Sequence, residues 1–146
     1  MYVMIVEKRI SAQIKDRGRS APDWYILLAV AIPFAPPVGF EMQLKEEWAI
    51  IKLTKVVYNP NDATFLAQTA PILHPKPDAP TVAQNLVNTV GWDIAVEEET
   101  LKKAIVTLRK KAVRELQDML MKAQSRIVMT GAPLGLNPLG PGRRKR

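Results

Sequence analysis

Leu101, Ile105, Leu108, Ala112, Leu116, Leu120, Ala123 and Ile127 recur at spacings of three and four, one apolar stripe on a helical period. The stripe predicts a helix from Asp93 to Thr130. Asp93 is placed to cap its start, and Glu97, Glu98 and Glu99 fall in early turns, where the helix dipole favours anions. Glu98–Lys102 and Glu99–Lys103 are glutamate-first pairs four residues apart, and Gly131 followed by Pro133 supplies the stop. At ~1.5 Å per residue such a helix is about 55 Å long, more than a compact domain of this size is wide. Its stripe therefore calls for a neighbour.

A second helix is expected from Pro80 to Val90, with Val82, Leu86 and Val90 on one face and Gly91 as its break. Four prolines between Pro71 and Pro80 predict a stiff extended linker. Asp62 to Ala70 reads as two helical turns, capped by Asp62 and ended by Pro71. Trp24 to Ile32 is apolar on every side, and Ser20 with Asp23 has capping-box spacing, which suggests a short buried helix. Phe40, Met42 and Leu44 alternate with polar residues, and Trp48 to Tyr58 is β-rich, so two strands are expected there, ended by the turn Asn59-Pro60-Asn61-Asp62. Tyr2 to Ile10 fits either type. No internal repeat or sustained heptad is present.

These elements add up to a helix-rich α+β fold, with all-α as the alternative. The long C-terminal helix packs with shorter helices and a small β element, and Pro-rich arms extend from it. Residues 1–130 form one domain. Residues 131–146, GAPLGLNPLGPGRRKR, form a Pro/Gly tail with a basic tip, too poor in apolar surface to offset its own ordering entropy.

Composition narrows the chemistry. A hydrophobic content of 47% is that of a folded domain. The absence of cysteine excludes disulfides and thiolate chemistry, and a single histidine, His74, excludes a histidine-rich metal site. The net charge of +7 is segregated: residues 1–19, residues 102–126 and the tail are basic, and residues 20–99 are acidic. That distribution favours a polyanionic partner. The uncharged stretch Trp24 to Phe40 holds Pro33, Pro36 and Pro37, too broken for a spanning helix, and no leader-type cleavage site stands out.

No glycine-rich phosphate loop occurs, and His74 has no local nucleophile or orienting acid. Three consecutive glutamates on a helix diverge by ~100° each and cannot converge on one ion. No catalytic residue, metal ligand, cofactor or small-molecule substrate is therefore expected, and the chain reads as a non-enzyme. The aromatics Trp24, Tyr25, Phe34 and Phe40 read as core, with protein anchoring as the alternative.

The candidate site is cationic. Lys103, Lys110 and Arg114 share one side of the long helix, with Lys102, Arg109 and Lys111 on its shoulders. No aromatic interleaves with them, so contact with nucleic acid would run through phosphates, with little base readout. The expected phosphate-contacting set is Lys102, Lys103, Arg109, Lys110 and Arg114 with the tip Arg143, Arg144, Lys145 and Arg146. The leading expectation is a structural subunit of a large assembly, a virion coat or capsid-associated protein. Its partners would be copies of itself, other subunits and the nucleic-acid backbone. The alternatives are a cytoplasmic ribonucleoprotein component and a peripheral membrane protein using Lys8 to Arg19 and Trp24 to Phe40.

Overall fold

The computed structural model describes residues 1–12, 22–44, 49–74 and 78–129, with His74 and residues 126–129 described without their side chains. The chain divides into two units, residues 1–112 and residues 113–146. In the first unit the strands are β1 (Tyr2–Ala12), β2 (Trp24–Ile32), β3 (Glu41–Gln43), β4 (Ile50–Asn59), β5 (Thr64–Thr69), β6 (Ile72–His74) and β7 (Ile94–Glu97). Helix α1 (Ala79–Val90) lies between β6 and β7, and helix α2 (Leu101–Met129) follows a 3-10 turn at Glu98–Thr100 and continues into the second unit.

The expected helix-rich α+β class, and its all-α alternative, are overturned. Among the described residues, seven strands form one sheet and only two α-helices accompany it. The sheet runs β3-β4-β5-β1-β2-β7, with β6 beside β1 beyond the end of β5. β5 and β6 are parallel to β1, and the other neighbouring strands are antiparallel.

The largest correction concerns Trp24–Ile32, a strand where a buried helix was expected. β2 lies between β1 and β7, paired with β1 from Ile10↔Trp24 to Tyr2↔Ile32. A strand covered on both faces loses the polar alternation that marks a half-exposed one, and a short apolar run cannot then be told from a buried helix. One face carries Met4, Val6, Ile26, Leu28 and Ile32 into the main core, where Ala79, Ala83 and Val90 of α1 and Trp92 join them. On the opposite face Val3, Ile5 and Leu27 are also buried. β1, undecided from its sequence, is a strand for the same reason.

The expected helix over 62–70 is the strand β5. Asp62 does not cap a helix: its Oδ1 accepts the Thr64 hydroxyl at 2.6 Å inside the turn between β4 and β5. Within the expected 71–80 linker, Ile72 and Leu73 pair with Ile10 and Ser11, so part of it is sheet; residues 75–77 lie outside the described residues. The two strands expected between Phe40 and Tyr58 are β3 and β4, joined with Met42 opposite Ile51. Helix α1 ends as its sequence indicates, at a left-handed Gly91 with φ 106°.

The long helix is shorter at its start than its stripe suggested. Ile94 to Glu97 add the edge strand β7, and Asp93 secures it: its Oδ2 accepts the Ala29 N–H at 2.8 Å, and its own N–H donates to the Leu27 carbonyl at 2.8 Å. Glu98 and Glu99 fall in the 3-10 turn outside α2, so the α-helical spacing that would pair them with Lys102 and Lys103 is not the one present.

Candidate functional site

Among the described residues, Leu108 is the most buried of α2, at 8% exposure, and Leu101, Ile105 and Ala112 around it are half-buried. Lys102, Lys103 and Lys110 are exposed. At 3.6 residues per turn these three lie roughly 120–160° around the helix from Leu108. The apolar stripe read from the sequence therefore has its cations on the other side, over the part of α2 in the first unit.

Arg109 departs from the expected set. Its Nε lies 2.9 Å from Asp62 Oδ2, while Asp62 Oδ1 holds the Thr64 hydroxyl. Thr64 pairs with Val3 and is buried, so this carboxylate gathers an arginine, a threonine and the β4–β5 turn on the sheet face that carries Val3 and Ile5. Arg109 is thus tied to the β4–β5 turn through Asp62. A wheel of α2 alone could not show this, because Asp62 is distant in sequence.

Arg114, in the second unit, is exposed. Further along α2 the stripe residue Leu120 is 47% exposed, and Met119 and Met121 beside it are 52% and 66% exposed. Arg143, Arg144, Lys145 and Arg146 lie outside the described residues. His74 closes β6 opposite Ala12. Among the described residues there is no group of three His, Asp or Glu side chains able to hold a metal ion, and no helix long and apolar enough to cross a membrane. The apolar side chains of β2 that could have met a bilayer, Ile26, Leu27 and Leu28, are buried in the sheet.

A second feature was not foreseen. A cleft of about 210 Å3 is lined by Glu7, Arg9, Tyr25, Thr54, Gln68 and Thr69. Glu7 is only 9% exposed, and its Oε1 accepts the Gln68 Nε2 at 2.7 Å. Arg9 lies 4.0 Å from Asp23. Burial, with help from Glu98 and Asp23, pushes the Tyr25 phenol above its ordinary pKa. The signal in the sequence was Glu7 itself, the first charge after the apolar run Tyr2 to Val6; its partners come from β2, β4 and β5 and were invisible there.

No family model, curated protein or solved structure matches this chain. The functional reading therefore rests on the geometry above.

Proposed function

We propose that this chain is a structural subunit of a nucleic-acid-containing assembly, in its leading form a virion coat or capsid-associated protein. The observation that carries the reading is the exposure of Lys102, Lys103 and Lys110 on the side of α2 away from buried Leu108. Cations so disposed neutralise phosphate without base readout, and the net charge of +7 points the same way. With Arg109 engaged by Asp62, the proposed phosphate set becomes Lys102, Lys103, Lys110 and Arg114 with the Arg143–Arg146 tip.

The exposed Met119, Leu120 and Met121 favour a self-associating subunit over the alternative, a ribonucleoprotein component that stays monomeric until RNA is added. The membrane alternative is weakened, because Lys8 is hydrogen-bonded to Ala70 and the apolar run of β2 is internal. The test is the salt dependence of duplex DNA binding. Each neutralised phosphate contributes a slope of about −0.9 in log K against log salt, and a slope near zero removes the reading.

A further inference from the structure

We infer that the cleft over Glu7 binds a small organic cation bearing a guanidinium or alkylammonium group. The sheet face that buries Val3, Ile5 and Leu27 turns polar further along β1 and β2, where Glu7, Arg9, Tyr25 and Gln68 line an open space. At ~30 Å3 per water, about 210 Å3 holds on the order of seven waters, room for a guanidinium with a short alkyl stem.

The electrostatics select the sign of the ligand. Glu7 is a nearly buried carboxylate whose hydrogen-bond partner among the described residues is a neutral amide. A carboxylate withdrawn from water is satisfied by a cationic donor, and the cations adjacent in the chain are directed elsewhere. Lys8 reaches to Ala70 and Thr69, and Arg9, half exposed, leans toward Asp23. Among the described residues, the charges acting on Tyr25 are the carboxylates of Glu98, Asp23 and Glu7 against the guanidinium of Arg9, so an anion is disfavoured there. A metal ion is a poor fit, since no three-ligand group exists among the described residues, whereas the Gln68, Thr54 and Tyr25 oxygens suit a ligand with several N–H donors. The Tyr25 ring adds a face for cation–π contact.

The test is titration of the full chain with methylguanidinium, followed by NMR shifts of Tyr25 and Gln68. Saturable millimolar binding is expected, weakened about tenfold or more by Glu7→Gln with the fold intact by circular dichroism. Arg9→Gln removes the competing cation at the rim and is expected to tighten binding several-fold, which keeps the test decisive if Glu7→Gln does not fold. Absence of saturable binding to the folded wild type, or binding indifferent to both substitutions, overturns the inference.

Discussion

The Lys8 ammonium donates a 2.6 Å hydrogen bond to the Ala70 carbonyl, where the strand beside β1 breaks between β5 and β6. Glu7 pairs with Gln68 and Ile10 with Ile72, so Lys8 and Arg9 face three residues, Thr69, Ala70 and Pro71. The extra residue is a bulge, and the lysine caps the carbonyl that the bulge takes out of the ladder. Lys8→Met removes this bond and the one donated to the Thr69 hydroxyl at 3.2 Å, and is expected to lower stability by about 1–2 kcal/mol at neutral pH.

The same lysine has a pH signature. Burial lowers its pKa below the ordinary 10.5. Between the folded-state value and 10.5 the unfolded chain holds more protons, so this site's contribution to stability rises with pH across that window. Urea denaturation at several pH values is expected to show the wild type gaining on Lys8→Met as pH approaches 10.5. Parallel profiles would contradict it.

Arg109 and the exposed lysines of α2 should separate cleanly. The Arg109–Asp62 pair is partly exposed, so a double-mutant cycle with Arg109→Gln and Asp62→Asn is expected to give a coupling of only about 0.5–1 kcal/mol. In DNA binding, Lys103→Gln and Lys110→Gln are each expected to flatten the salt slope by about 0.9, and Arg109→Gln to leave it unchanged. A slope equally sensitive to Arg109 would mean that Asp62 releases it.

Ala63 holds φ at 56° in the turn between β4 and β5, while Asn59 Oδ1 accepts the Asn61 N–H at 3.0 Å. The left-handed region costs an L-residue about 1–2 kcal/mol, and glycine's larger unfolded-state entropy returns part of that. Ala63→Gly is expected to stabilise the fold by about 0.5–1 kcal/mol, read from the urea midpoint. A drop in the midpoint would show that the Ala63 methyl makes contacts worth more than the strain.

The sequence was most legible where an element has one wet side. The period of two at Phe40, Met42 and Leu44, the stripe of α2 and the Gly91 stop are local signals, and each corresponds to the element found. It misled where burial is two-sided. Trp24–Ile32 has no polar side because Ile26, Leu27 and Leu28, on its two faces, are all buried, and Asp62 looked like a helix cap because its partners, Thr64 and Arg109, are settled by tertiary structure. In the candidate sites, Lys102, Lys103 and Lys110 were legible from helical spacing. The engagement of Arg109 and the assembly of Glu7, Tyr25 and Gln68 depend on strand pairings distant in sequence.

The most direct test of the assembly reading is light-scattering mass of the full chain against concentration, with and without duplex DNA, at low and high salt. Self-association without DNA is predicted, together with DNA-bound particles that dissociate as salt rises. A concentration-independent monomer that ignores DNA at low salt would contradict the account.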